Sequence, residues 1–445
     1  MRRFKFATLM AILAVLLTGA NPLWAQYGTG PKLTIINHSG YAANQVYLAF
    51  LAIPYGDDPN FHHIIWQHDE FLPIFPRIDP IDNTETVEGA NNNPYANYST
   101  TLDRLSIDSN GNHYFYIPQG VTTVDNKGCH GRLWLSFKKP MYFHVDSATG
   151  YAQPSISNDG DANFYTVFDF FEPAVTSDDA VHADTTNVDM VAMSMLYELK
   201  NGDSSLGIKG FNRSVGALRQ AFLGDPVFSA LVTPTRIVCP GQAGDLNPPL
   251  AFPADYFDKY RDYCWQHWTD NPLTFEYPLG TTWTGGVTGE VLTLAGPQTV
   301  TISRPPSKDI FLCNGVFDGS NEVDKAIKNQ VVSALNRTVF HLDPYPTGSK
   351  TEYPWQSYKP PTGYGAPPNN KMFYQQNGLT AANYKTNVYS KLLHQLSYDG
   401  TIYGFAYDDN AKQASYIDGV ATDIILTINN SRPTSAPLLN LLLED

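Results

Sequence analysis

Charge is scarce in this chain. Charged residues fill 16% of its 445 positions, and 43 acids outnumber 29 bases for a formal charge of −14. An acidic chain repels phosphate backbones and anionic headgroups, which argues against nucleic acid and membrane surfaces as partners. Cysteine is scarce too: Cys129, Cys239, Cys264 and Cys313 are the four, with no C-x-x-C spacing. That missing spacing argues against a zinc or thiol-redox site. An even count in an exported chain predicts two disulfides, with three connectivities open. Long apolar runs are missing as well, so no segment beyond the N-terminus has the length to span a bilayer.

What is present points to an exported, β-rich protein. The chain opens MRRFKFATLMAILAVLLTGANPLWAQ. A basic start, a short apolar stretch and small residues up to Ala25 have the form of a secretory signal covering residues 1–25. The apolar stretch is short for a membrane anchor. Aromatics reach 13%, with 33 Gly and 32 Pro, a composition that suits strands joined by long ordered loops. A neutral ligand fits an acidic exported chain, and localisation is expected to be extracellular or periplasmic.

The pattern along the chain divides it. Residues 33–53, 113–119, 131–137, 140–145, 164–172 and 187–195 read as strands, which makes 26–195 mostly β. Helical spacing appears at 210–231, at 254–267 and most clearly at 321–336 (NEVDKAIKNQVVSALN). Strands return at 273–277, 286–296 and 298–304. These place a mixed α/β domain at 196–380. A helix at 387–397 and strands at 401–409 and 422–429 then complete the β domain over 381–430, leaving a tail at 431–445. The expected architecture is mainly β, a sandwich or barrel with an inserted α+β domain.

One stretch carries acids on apolar strands: VFDFFEPAVTSDDAVHADTTNVDM, residues 167–190. Carboxylates are seldom placed there without a partner or a task. Strand alternation sets Thr166, Phe168, Phe170 and Glu172 on one face, and Asp169 with Phe171 on the other. Asp169 therefore reads as a structural acceptor, and Asp178 and Asp179 as solvated residues of a hairpin loop. Glu172 and Asp189 lie on two expected strands that would pair across the loop and face one cleft. Phe168 and Phe170 would favour a neutral Glu172. A polar segment at 55–110 holds His62, His63, His68, Asp69 and Glu70, but its spacing matches no metal-ligand pattern. No metal or cofactor is expected.

A series of fragments carries a resemblance. INHSGY (36–41) is similar to the opening of a thaumatin-like β-sandwich and YGFAYDD (403–409) to a motif near its end. Between them stand GRLWLSFKKPMYFHV (131–145), QPSISN (153–158), FDFFE (168–172), NVDMVAM (187–193), DIFLCNGVF (309–317) and ALNRTVF (334–340), followed by the Asn387…His394 helix. In this order the series resembles glycoside hydrolase family 64, the laminaripentaose-producing β-1,3-glucanases, over roughly residues 30–430. The resemblance implies a thaumatin-like β domain and a mixed domain flanking a wide groove. It implies endo-type, inverting cleavage of long β-1,3-glucan such as laminarin, curdlan or fungal wall. It makes Glu172 the general acid and Asp189 the base.

Departures accompany the match. Pro173 follows Glu172, so the strand is expected to bend away there. His182 stands where an aromatic sugar platform belongs, while Thr186 keeps an expected hydroxyl. Asp408 and Asp409, at the end of an expected strand, are candidates for sugar contacts. Arg132, Asn336 and Arg337 read as structural. The competing function is a non-catalytic β-glucan-binding protein on the same scaffold, and a monomer is expected.

Overall fold

The computed structural model describes residues 29–53, 63–67, 70–74, 86–88, 94–118, 129–146, 150–176, 180–278, 280–338, 386–411 and 414–431. The expected leader at 1–25, Asp178, Asp179, the side chains of the histidine-containing segment at 62–70 and most of the tail lie outside them.

Two sheets face each other. In the first, the hydrogen-bonded order is Ser204–Gly210, Met195–Asn201, Asp423–Ile428, Thr29–Asn37, His113–Pro118 and Ser106–Ile107. The last strand of the chain runs parallel to the first, with Lys32 beside Asp423 and Asn37 beside Ile428. In the second, the order is Tyr416–Val420, Ala180–Asp184, Phe168–Val175, Cys129–Phe137, Val46–Ile53, His63–Gln67 and Glu70–Ile74. Alternate side chains of both sheets fill the space between them. Leu33, Ile35, Phe115, Leu426 and Ile428 from one side meet Leu48, Phe50, Leu133, Leu135 and Phe171 from the other. Burying one such side chain stabilises by about 1.5–3 kcal/mol. The strand at 168–175 obeys the expected parity. Phe171 and Val175 point into the sandwich, while Phe168 and Phe170 pack outside it with Trp134 and Phe143.

A second core lies against this one. It joins helices Val215–Leu223, Asp258–Asp270, Ser307–Leu312, Glu322–Arg337 and Val388–Leu396 to a four-stranded antiparallel sheet, Leu273–Glu276 to Thr299–Ser303. The helix at 322–337 starts where the Asn321 side chain accepts the Asp324 amide, and it ends at Thr338 in left-handed geometry.

Several expectations are corrected. The β body continues past residue 195, since Met195–Asn201 and Ser204–Gly210 belong to the first sheet. The helix at 388–396 packs in the mixed core through Tyr389 and Leu393. Residues 187–195 do not form one strand. Met190–Val191 pair with Ile237–Val238 and Met195 already belongs to the first sheet; between them the Asp169 carboxylate takes the amides of Ala192 (2.9 Å) and Met193 (3.0 Å). Pro173 does not end its strand, which runs to Val175 with Pro173 opposite Ala183. Residues 401–409 are not a strand either: Tyr403 makes an isolated bridge to Thr186, and a short helical turn occupies Asp408–Ala411. The two expected disulfides are not made, since Cys239 and Cys313 are buried thiols. Both lie in the apolar mixed core, where burial raises the thiol far above its usual range.

Candidate active site

The strand joined to the Glu172 strand is Ala180–Asp184, a segment that reads as loop in the sequence. Its register sets Glu172 opposite Asp184 and Ala174 opposite His182. The next strand sets Tyr416 opposite Asp184 and Asp418 opposite His182. On the other side Arg132 pairs in register with Leu51, and the ladder from His130–Ala174 to Leu133–Phe171 brings Arg132 beside Glu172. One row thus crosses five strands: Leu51, Arg132, Glu172, Asp184, Tyr416. All five line a single open cleft of about 370 Å³, together with Gly131, Gln153, Pro173, Ala174 and His182. Gly131 is needed here. A β-carbon at this position would stand 2.3 Å from the Leu51 carbonyl oxygen and 2.5 Å from the Ala52 α-carbon.

Glu172 sits where the outer face of its strand changes from apolar to polar. Phe170 packs on Trp134 with ring centroids 4.7 Å apart, and the guanidinium of Arg132 lies 4.3 Å from the Phe170 ring centre. Arg132 Nε donates to Glu172 Oε1 at 2.7 Å, and its Nη1 donates to Gln153. The cation is therefore fixed by stacking and two polar contacts. The aromatic neighbours do not isolate Glu172; they seat its counter-ion.

Asp184 is the acid that sequence reasoning missed. Its Oδ1 is buried without a hydrogen-bond partner. Burial first, then the charge of Glu172, push its carboxyl well above the usual carboxylate range; Arg132 opposes this and Asp409 adds to it. The signal in the sequence was the alternation of Val181 and Ala183 with His182 and Asp184, too short and too small in side-chain size to stand out. Tyr416 was missed for the same reason. The residue is 47% exposed beside the cleft, and its hydroxyl donates to Asp418 Oδ2 at 2.6 Å.

The remaining candidates fall in different places. Asp189 lies on the bend before Met190, where Gln242 Nε2 donates to its Oδ1 at 2.8 Å. Burial raises its carboxyl from the ordinary range, with Arg132 and Gln242 acting the other way. It does not line the cleft floor with Glu172. His182 lines the cleft and pairs with Asp418, both side chains nearly half exposed. Thr186 is buried at its bridge to Tyr403.

Asp408 is corrected from a sugar contact to an interior anchor. It is fully buried and pairs with Arg337. It also accepts from His394 Nε2 (3.0 Å), Ser390 Oγ (3.0 Å) and the Gly404 amide (2.9 Å). Asp409 is exposed, and its charge reaches Asp184 and Tyr403. Asp169 is the structural acceptor expected, with its carboxyl raised to about 6 by burial against three backbone amides.

Comparison with known proteins bears on this cleft. The family model described as Beta-1,3-glucanase, glycoside hydrolase family 64, matches residues 116–428. The glucan endo-1,3-beta-glucosidases of Arthrobacter sp. (strain YCWD3) and Cellulosimicrobium cellulans are each 23% identical over 325 residues, covering 70% of this chain and 54% of theirs. The chain spans about half the length of these curated relatives. A β-1,3-glucanase domain of family 64 from Clostridium beijerinckii superposes with a TM-score of 0.70 at 25% identity, over 90% of this chain and 98% of that one. A laminaripentaose-producing β-1,3-glucanase solved with laminaritetraose shares the fold, with a TM-score of 0.67 at 22% identity over 91% and 99%. The family match takes in Arg132, Glu172, Asp184, Asp189 and Tyr416, all the charged groups of the cleft row included. This chain belongs to the β-1,3-glucanases of glycoside hydrolase family 64.

Proposed function

We propose that this protein hydrolyses internal linkages of long β-1,3-glucan with inversion at the anomeric carbon, releasing oligosaccharides such as laminaripentaose. The observation that carries the reading is Glu172 on the floor of an open cleft, with other acids near it, in a chain of this family. Glycoside hydrolysis needs one carboxyl to protonate the leaving oxygen and a second group to deal with the anomeric carbon. In this reading Glu172 is the proton donor and Asp189 activates water. Inversion needs about 6.5–9.5 Å between the two carboxyl groups, room for that water. Gln242 holds Asp189 Oδ1, which favours the ionised form a base requires.

The other cleft residues serve the sugar chain. The exposed Tyr416 ring offers a flat apolar face for a pyranose, a role the sequence assigned to position 182. His182 and Asp418, paired at the surface, offer polar edges to hydroxyls. Glu172 is bound to Arg132 in the free protein, so the arriving glucan must loosen that contact before the donor oxygen faces the linkage. The β-sandwich serves as the thaumatin-like half of the family's architecture, and the basic, apolar N-terminus supports export.

The test is incubation with laminarin and curdlan, following products by proton NMR. Soluble oligosaccharides whose first reducing ends are α-anomers support the proposal. Products that appear first as β-anomers would exclude inversion. Binding without any product would make the protein a glucan-binding module instead.

A further inference from the structure

A donor needs its proton at the moment of reaction. Glu172 Oε1 already accepts from Arg132 Nε at 2.7 Å in the free protein. The other neighbour in the cross-strand row is a second carboxyl, and its surroundings are unusual. Asp184 is the in-register partner of Glu172, it lines the same cleft, and its Oδ1 is sealed without a partner. A buried carboxylate oxygen with nothing donating to it is costly, whereas a protonated carboxyl relieves that cost and can itself donate.

We propose that Asp184 is the proton-holding partner of Glu172: the two carboxyls share one proton, and that proton is the one passed to the departing glycosidic oxygen. The inference rests on Glu172 as donor. Directly opposed positions on a sheet have β-carbons about 4.5–5.5 Å apart. At that spacing two carboxyls on one face are within reach of each other. Asp184 is therefore a positioning residue for the donor, and the water-activating role stays with Asp189.

The charges around Asp184 favour retention of one proton. Glu172 faces it from one strand, and Asp409 adds a further negative charge from the turn at 408–411. Tyr416, the next residue of the row, and Tyr403 and Tyr197, both within electrostatic reach, are neutral phenols whose ionisation is suppressed by burial or by a carboxylate partner. His182, two residues away on the same strand, is turned to Asp418. Among the described residues, Arg132 is the cation whose charge acts on Asp184. Its single positive charge stabilises one negative charge shared by two carboxyls, and a second would be repelled.

The step balances as follows. The O–H bond of Asp184 breaks as the O–H bond of Glu172 forms, leaving Asp184 ionised. The Glu172 O–H then breaks as the proton bonds to the leaving oxygen and the glycosidic C–O bond opens. Asp189 takes the proton of the attacking water, and exchange with solvent returns one proton to the pair and removes one from Asp189.

Two measurements decide it. In the first, kcat/KM on laminarin is followed against pH for the wild type, Asp184→Asn and Glu172→Gln. With Asp184→Asn the neighbouring negative charge is gone, so Glu172 loses its proton at lower pH. The alkaline limb should move down by at least about one unit, a tenfold loss at a fixed pH on that side, while the acid-side plateau stays within about threefold. An unmoved limb, or an equal loss at every pH in a natively folded variant, would overturn the proposal. In the second, carboxyl carbon NMR follows the Asp184 titration in the wild type and in Glu172→Gln. Removing the Glu172 charge should lower the Asp184 midpoint; an unchanged midpoint overturns the sharing even if Asp184→Asn fails to fold. If Glu172→Gln itself keeps the wild-type rate, the donor assignment fails instead, and the NMR comparison still reports whether the two carboxyls are coupled.

Discussion

Replacing Asp408 by Asn separates an interior anchor from a sugar ligand. The side chain is fully buried and holds Arg337, His394, Ser390 and the Gly404 amide in one network. Arg337 is itself fully buried over the Phe405 ring. Without the carboxylate, its remaining contacts include Ser333 Oγ at 2.6 Å and the main-chain oxygen of residue 408 at 3.1 Å. A guanidinium left with neutral acceptors in the interior costs about 3–5 kcal/mol. At roughly 2–4 °C per kcal/mol, the value for domains of 150–250 residues, that lowers the melting temperature by roughly 6–20 °C. Burial alone would raise the Asp408 carboxyl, but His394 and Arg337 hold it below the usual range. Its stabilisation is thus complete above the unfolded value near 3.8 and is lost as pH falls through the lower folded value. Thermal unfolding by circular dichroism should show a wide gap between wild type and variant at neutral pH that narrows in acid. At low temperature KM for laminarin should be unchanged. An unaltered melting temperature with a raised KM would refute the reasoning and return Asp408 to the sugar site.

Three further outcomes follow from the cleft. Gln242→Leu removes the hydrogen bond to the ionised Asp189, so its carboxyl rises further and the acid limb of kcat/KM moves to higher pH by roughly 1–2 units; a pH–rate profile reads this directly. Gly131→Ala drives a β-carbon into the backbone of the neighbouring strand, which should cost about 1–3 kcal/mol in denaturant unfolding and slow hydrolysis by displacing Arg132. Tyr416→Ala should raise KM by roughly threefold to tenfold, the worth of one stacking face, with kcat held, as uniform binding requires.

Much of the sandwich was legible because burial imposes a period of two. Phe171 inside and Phe170 outside follow from alternation alone, and so does Asp169 on the face away from Glu172. The helix at 322–337 was legible from its apolar spacing, whereas its Asn321 cap shows only in the structure. The site was half legible. Glu172 reads as an acid on an apolar strand, but its neighbours depend on which strand pairs next. The expected partner, 187–195, is broken where the Asp169 carboxylate satisfies two of its amides from across the core. The true partner, Ala180–Asp184, buries just Val181 and Ala183, a weak apolar signal. Asp408 was misplaced because YGFAYDD alternates like a strand, whereas its carboxylate accepts the Gly404 amide and turns the chain inward. Such side-chain-to-backbone bonds override local pattern and leave little trace in it.

The central claim is that Glu172 delivers the proton to the leaving oxygen. Its most direct test is the initial rate of laminarin hydrolysis by Glu172→Gln, beside the variant's affinity for the same glucan. The account predicts a rate lower by roughly 10²–10⁴, the contribution of one positioned acid, with binding retained. A variant within a few-fold of the wild-type rate would contradict it.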